Sequence, residues 1–162
     1  MTTPSPHPSS SDPSSTGRQP TPDQEPLHPH AVHDLIGGWP AFEALVDDFY
    51  DRVEEDHELR SVYPEDLEPG KHRLALFFAQ YWGGGNVYSS LHGHPRLRMR
   101  HAPFEVTPDR AARWAHHMAA AIRAQGFPAE AEALMLTYVA QATPTMINQH
   151  PDLPEGLPLR RG

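Results

Sequence analysis

The sequence predicts an all-α fold. Apolar side chains recur at three- and four-residue spacings in four segments between residues 40 and 146, which is the pattern of helices that bury one face. No segment alternates apolar and polar residues with the period of two that indicates a half-buried strand. Proline and glycine residues separate the four segments, so we expect short helices joined by long, aromatic-lined connections around a single core.

The first two predicted helices are rich in aromatic residues. Pro40 can occupy the first turn of the first helix, because that position needs no backbone N–H. Its apolar stripe consists of Phe42, Leu45, Val46, Phe49, Tyr50 and Val53. The second helix shows the same spacing until three consecutive glycines, residues 83–85, interrupt it. Its apolar stripe consists of Leu74, Phe77, Phe78, Tyr81 and Trp82.

The third and fourth predicted helices both begin at a proline. Thr107 is an N-cap residue in front of Pro108, and the stripe of that helix consists of Trp114, Met118, Ala121 and Ile122. Pro128 begins the last helix, in which Pro144 should bend the final turn. The stripe of the last helix consists of Leu134, Met135, Tyr138, Val139, Ala142 and Met146.

Both ends of the chain have the composition of disordered tails. Residues 1–30 contain eight Pro, six Ser and four Thr, so they cannot bury enough apolar surface to offset the entropy of ordering. A proline-rich ligand for a partner domain is the alternative for this segment. Residues 151–162 are similarly rich in proline. We therefore expect one domain over residues 31–150.

Composition excludes several classes of protein. The chain has no cysteine, which rules out disulfides, thiolate metal sites and a cysteine nucleophile. No stretch approaches the roughly 20 apolar residues of a membrane span, and the N-terminus lacks the pattern of a signal peptide. The net charge of −8 argues against a nucleic-acid partner. We expect a soluble cytoplasmic protein that contacts neither membrane nor nucleic acid.

Positive charge is concentrated in one part of this acidic chain. Residues 69–104 contain no Asp or Glu, and their five cations are Lys71, Arg73, Arg96, Arg98 and Arg100. Like charges repel one another, so such a cluster indicates a bound anion as its partner. A solvated basic patch is the alternative. Within this window lies the most informative segment, Gly93 to Phe104, which ends in His101, Ala102, Pro103 and Phe104.

His101 combines with the cations around it into a recognisable chemistry. An iron porphyrin needs a neutral imidazole for its metal and positive charge for its propionates, and this segment offers both. A lone histidine is more often structural than a ligand, and the chain has 12 of them. The assignment therefore depends on the rest of the chain.

From Leu35 to Asn148 the chain resembles the truncated haemoglobins, and specifically their second group. The segments that carry the resemblance are 36–38, 49–50, 62–66, 81–84 and 93–104, together with Trp114. The resemblance implies a two-over-two helical sandwich that encloses haem b. It covers the predicted core and neither tail.

The resemblance also implies roles for the residues that would hold the haem. His101 matches the proximal iron ligand. Met99 and Phe104 would form apolar wall for the porphyrin, with core packing as the alternative. Leu74 would also contact the haem, from the side on which the ligand binds. Arg73, Arg98 and Arg100 are candidates for pairing with the propionates, and Lys71 and His72 are weaker ones. Solvation at the surface is the alternative for these cations.

On the ligand side, the resemblance implies a pocket with three hydrogen-bond donors. Tyr50 matches the distal tyrosine, Tyr63 matches the second polar aromatic of this group, and Trp114 matches its characteristic tryptophan. Each could instead be a core aromatic. If each donor contributes on the order of 1 kcal/mol to the bound state, ligand escape slows roughly a hundredfold. Slow release favours oxygen retention, sensing or redox chemistry over bulk delivery.

The chain departs from the family pattern at two places. Gly85 stands where the family usually has proline. The segment between Tyr63 and Arg73 is one residue shorter than expected, so the register that makes Gly70 the small distal residue and turns Leu74 toward the ligand depends on where the gap falls. A one-residue gap rotates a helix by about 100°.

The resemblance implies a protein that binds dioxygen, carbon monoxide, nitric oxide or similar small ligands at the iron. Nitric oxide dioxygenation or peroxidase-type turnover is an alternative that would need an external reductase, since nothing in the sequence indicates a flavin site. A non-haem metal site is another alternative; its ligands would be His92, His94 and His101, with the pair His116 and His117. A haem-free interaction module is the last.

Overall fold

The computed structural model describes residues 26–149, in which eight α-helices are joined by turns and loops. The helices are α1 (Val32–Ile36), α2 (Trp39–Glu55), α3 (His57–Arg60), α4 (Glu68–Tyr81), α5 (Val87–His92), α6 (Leu97–His101), α7 (Pro108–Ala124) and α8 (Ala129–Ala142). Two 3-10 turns, Pro29–Ala31 and Thr143–Met146, flank them. These residues contain no strand, so the all-α prediction is confirmed.

The long helices begin close to the residues that predict them, with one exception. The side chain of Thr107 accepts a hydrogen bond from the backbone N–H of Arg110, so it caps α7 as its sequence position indicates. The bend expected at Pro144 takes the form of a 3-10 turn after α8. Helix α4, however, begins six residues before Leu74, because its polar first turn carries no apolar signal.

Two pairs of helices form the sandwich. Helix α2 packs against α4 and α7, and α7 packs in turn against α8. The core between the pairs consists of fully buried side chains, among them Phe42, Phe49, Met118, Ile122 and Met135. This is the two-over-two arrangement expected from the sequence.

The three glycines after α4 meet different constraints. Gly83 has a φ of 108°, and a Cβ there would collide with the carbonyl oxygen of His30. A Cβ on Gly84 would meet the ring of His33 at 2.5 Å. Gly85 has open space around it but a φ of 84°. Proline holds φ near −65°, so this loop follows a course that proline at position 85 could not adopt.

The N-terminal boundary expected at residue 31 falls at the end of a turn that belongs to the fold. Leu27 packs against the core, and the turn Pro29–Ala31 precedes α1 directly. The remainder of the expected tails, residues 1–25 and 150–162, lies outside the described residues. Among residues 26–149, no helix is long and apolar enough to cross a membrane.

Candidate functional site

A large cavity brings the predicted site residues together. Its volume is about 760 Å³, which is in the range of pockets that hold cofactors, and seven of the eight helices contribute to its lining. All but one of the predicted site residues line it, namely Tyr50, Tyr63, Arg73, Leu74, Met99, Arg100, His101, Phe104 and Trp114. Arg98 is not among the lining residues.

His101 is the last residue of α6, and its ring is oriented by that helix. Its Nδ1 lies 2.8 Å from the carbonyl oxygen of Leu97, one turn earlier. A carbonyl oxygen can only accept, so Nδ1 carries the hydrogen and donates it. In the neutral ring, Nε2 then keeps its lone pair, which is the tautomer that a metal requires.

The structure does not assemble the alternative non-haem metal site. No group of three or more His, Asp or Glu side chains that could hold a metal ion occurs among residues 26–149. His117 instead binds Asp56, and the ring of His92 packs against that of Tyr88. His101 is thus separate from the other members of the set that the sequence allowed.

The cations within residues 69–104, the segment without Asp or Glu, have different partners. Lys71 pairs with Asp47 and Glu68, which removes it from the cavity. Arg100 lines the cavity, but its guanidinium donates to the carbonyl oxygens of Pro95 and His92 at 2.8 and 2.6 Å.

Arg73 also reaches the cavity, from α4. It forms no ion pair with any described residue. Arg73 is therefore the cation best placed to meet an anionic group bound there.

The residues present fit a haem. Met99 and Phe104 line the cavity together with His101, yet they are 65% and 50% exposed, so the cavity has an apolar surface that no other described side chain covers. A porphyrin would cover such a surface, its iron would meet Nε2 of His101, and a propionate could pair with Arg73. The cavity therefore offers apolar wall, a metal ligand and a cation together.

Tyr50 is a buried donor inside the cavity. It lies on α2, and burial raises the pKa of its hydroxyl to about 12, with the nearby Arg73 opposing part of the rise. A Cβ on Gly70 would lie 2.7 Å from the hydroxyl oxygen, so glycine at that position provides the space that the hydroxyl occupies. Gly70 and Leu74 both line the cavity. The sequence alone did not decide which way these two residues face, because the segment before Arg73 is one residue shorter than in the family.

Tyr63 and Trp114 extend the polar part of the cavity. The ring of Tyr63 meets that of Tyr50 edge to face, with the centroids 5.7 Å apart. Burial raises the pKa of Tyr63, the neighbouring Tyr50 raises it further, and the indole of Trp114 partly opposes the rise as a hydrogen-bond donor. Trp114 also packs on Phe49 of the core.

Residues that the sequence analysis did not single out hold these donors in place. The guanidinium of Arg60 donates to the carbonyl oxygens of Tyr63, Pro64 and Glu65, which fixes the loop that carries Tyr63. An arginine that binds backbone carbonyls leaves no local pattern in the sequence, so the structure was needed to find it.

Asp56 links α7, the helix that carries Trp114, to the N-terminus of α3. Its carboxylate caps α3 at the N–H of Leu59 and accepts hydrogen bonds from His117 and Arg113 of α7. The hydrogen bond from His117 is the main reason that the pKa of Asp56 falls to about 2. The position of Trp114 is tied to this cluster because it follows Arg113 directly.

Comparisons with known proteins identify the family to which the chain is similar. A model of the family described as bacterial-like globin matches residues 31–148. The chain is 36% identical over 105 residues to group 2 truncated hemoglobin YjbI of Bacillus subtilis, an alignment that covers 65% of this chain and 80% of that protein.

Two solved structures are similar to this one throughout its core. The hemoglobin of Chloroflexus aurantiacus is 47% identical with a TM-score of 0.71, covering 73% of this chain and 98% of that one. The group II truncated hemoglobin of Bacillus anthracis is 37% identical with a TM-score of 0.69, covering 72% of this chain and 95% of that one.

Proposed function

Because the chain belongs to the bacterial-like globin family, and within it to the group II truncated haemoglobins, we propose that it binds haem b through His101 and retains dioxygen at the iron. The observation that carries the proposal is the hydrogen bond from Nδ1 of His101 to Leu97, which leaves the lone pair on Nε2 of a ring that lines a cavity of about 760 Å³. When bound, haem supplies an iron that coordinates diatomic molecules reversibly.

The protein's own donors determine how long a ligand stays. The hydroxyls of Tyr50 and Tyr63 could each donate a hydrogen bond to an electronegative ligand in the cavity, and the indole N–H of Trp114 could do so by exchanging its bond to Tyr63. Three such bonds of about 1 kcal/mol slow escape by roughly a hundredfold. The site is therefore suited to retention of oxygen rather than to its bulk delivery. Carbon monoxide accepts hydrogen bonds poorly, so these donors should favour dioxygen over it.

Absorption spectra of the reduced protein with haem test the proposal. We expect a Soret band that shifts when dioxygen or carbon monoxide is added. His101→Ala should lose this spectrum, because no other described histidine lines the cavity. His116→Ala, an exposed histidine on α7, is the matched control and should keep it. An unchanged spectrum in His101→Ala would show that another group binds the iron.

A further inference from the structure

Helix α6 has little support of its own. It is five residues long, and no side chain caps its N-terminus. The residue before it, Arg96, has a φ of 40°, a left-handed conformation that side chains rarely adopt. So short a helix is marginal without tertiary contacts. The carbonyl oxygen of Leu97 orients the ring of His101 within the helix, and the position of the helix itself depends on the contacts at its two ends.

Contacts at the start of α6 come from its own neighbourhood. The guanidinium of Arg100 donates to the carbonyl oxygens of His92 and Pro95, five to eight residues earlier, and closes the loop that enters the helix. These bonds fix the loop but do not reach the backbone of His101 or the segment that follows it.

The end of α6 receives a local hydrogen bond, from the N–H of Phe104 to the carbonyl oxygen of His101, and further hydrogen bonds from one side chain in a distant part of the chain. Asn148 lies 47 residues after His101, beyond the 3-10 turn Thr143–Met146. Its Nδ2 donates to the carbonyl oxygens of His101 and Phe104 at 3.1 and 2.9 Å, and its Oδ1 accepts from the N–H of Val106 at 3.0 Å. Its own backbone N–H donates to the carbonyl oxygen of Val106.

The chemistry of the three partners leaves only one orientation for the amide. The two carbonyl oxygens can only accept, so the NH₂ group of Asn148 must face them. The N–H of Val106 can only donate, so the amide oxygen must face it. One planar side chain thus joins the exit of α6 at three points, and an amide is the group that supplies both two donors and an acceptor.

We propose that Asn148 is a positioning residue for the iron ligand, because it holds the backbone of His101 at the end of the helix in which the carbonyl oxygen of Leu97 orients the imidazole. This inference rests on the proposed role of His101. It assigns to the C-terminal end of the described chain a part in tuning the iron, although Asn148 is itself exposed and does not line the cavity.

Asn148→Asp tests the proposal with nearly the same shape. The aspartate can still accept from Val106, but it places an oxygen against the two carbonyls and so loses both donated bonds. Gln149→Glu is the matched control, since it makes the same change of amide to acid one residue later, where the side chain forms no hydrogen bond within residues 26–149.

Resonance Raman spectra of the reduced, ligand-free haem protein provide the main measurement. We expect the iron–histidine stretching band to shift and broaden in Asn148→Asp and to stay at the parental position in Gln149→Glu. Transfer of haem to apomyoglobin should be about fivefold faster in Asn148→Asp, in keeping with the loss of two exposed hydrogen bonds. A general loss of stability would not by itself move the band.

Asn148→Ala separates the bond to Val106 from the bonds to the carbonyls. Amide hydrogen exchange at Val106 should accelerate in Asn148→Ala and stay slow in Asn148→Asp, while the Raman band moves in both. A parental band in both variants would overturn the positioning role and leave His101 as the ligand. Absence of the band from the parent, with an unchanged spectrum in His101→Ala, would overturn the proposed ligand and this inference together.

Discussion

The hydroxyl of Tyr50 is one of the hydrogen-bond donors that line the cavity. With its pKa at about 12, Tyr50 stays neutral throughout the physiological range and remains a donor. The unfolded chain would release this proton near pH 10, so the contribution of Tyr50 to stability is full below pH 10 and is lost between about pH 10 and 12. Oxygen retention should accordingly not vary with pH near neutrality on account of this group.

Removing the donors one at a time should accelerate oxygen release. Tyr50→Phe and Trp114→Phe should each raise the dissociation rate by about fivefold, the equivalent of one hydrogen bond of about 1 kcal/mol. Stopped-flow mixing of the oxygenated protein with an oxygen scavenger measures these rates. Tyr81→Phe, in a tyrosine that does not line the cavity, is the control. Equal rates in all three variants would mean that Tyr50 and Trp114 do not touch the ligand.

Gly70 and Tyr50 should be energetically coupled. Alanine is favoured over glycine in a helix by about 1 kcal/mol, but its Cβ at position 70 would lie 2.7 Å from the Tyr50 hydroxyl. We expect Gly70→Ala to destabilise the parent and to stabilise the Tyr50→Phe variant, in which the oxygen is gone. Urea unfolding of the four proteins in this cycle measures the coupling free energy. Additive effects would show that the two positions do not meet.

The helices that the sequence predicts are those marked by a capping residue or by regularly spaced apolar residues. Thr107 in front of Pro108 predicts the start of α7, and the Thr107 side chain does cap that helix. The start of α4 could not be read in this way, because Glu68, Pro69 and Gly70 belong to a polar turn. Helices α5 and α6 are too short for a periodic pattern and depend on contacts such as those of Asn148.

Some features of the cavity likewise could be predicted from the sequence and others could not. The resemblance named nine of the residues that line it and also Arg98, which does not line it. It could not indicate that the guanidinium of Arg100 is already engaged by backbone carbonyls. It also could not find Arg60 or Asn148. Both bind main-chain groups, and such groups are present at every position of every sequence.

The cluster around Asp56 should make the joint between α3 and α7 sensitive to acid. Since its pKa is lowered to about 2, the unfolded chain takes up this proton at a higher pH than the folded one. The stability that Asp56 contributes is therefore present above about pH 4 and lost as the pH falls toward 2. Urea unfolding at several pH values should show Asp56→Asn less stable than the parent at pH 6, with the difference shrinking in this window.

Asp109→Asn is the control for that prediction, because Asp109 also contacts Arg113 but is far more exposed. It measures how much of the change comes from removing any carboxylate beside Arg113 rather than from the cluster around Asp56. A constant difference for Asp56→Asn would contradict the assignment of this transition to the cluster.

For the whole molecule, we expect the haem and the helical core to stabilise different parts of the structure. Fully buried side chains hold α2, α7 and α8 together, whereas α6 and the exposed Met99 and Phe104 have little apolar cover of their own. We expect removal of haem to accelerate amide hydrogen exchange across residues 97–104 far more than across α2 and α7. Mass spectrometry of exchanged peptides measures this, and a uniform acceleration would show that the molecule unfolds as one unit.

The glycine loop after α4 determines which changes this part of the sequence can accept. A library that randomises residues 83–85 and selects for folded protein should return only glycine at 83, where both the backbone angle and the nearby carbonyl of His30 forbid a side chain. It should return only glycine at 84, where the obstacle is the ring of His33 and a carbonyl oxygen. At 85 it should also return asparagine and aspartate, which tolerate a positive φ and find open space there. The three consecutive glycines thus comprise two positions that accept no other residue and one that accepts the few residues able to adopt a positive φ.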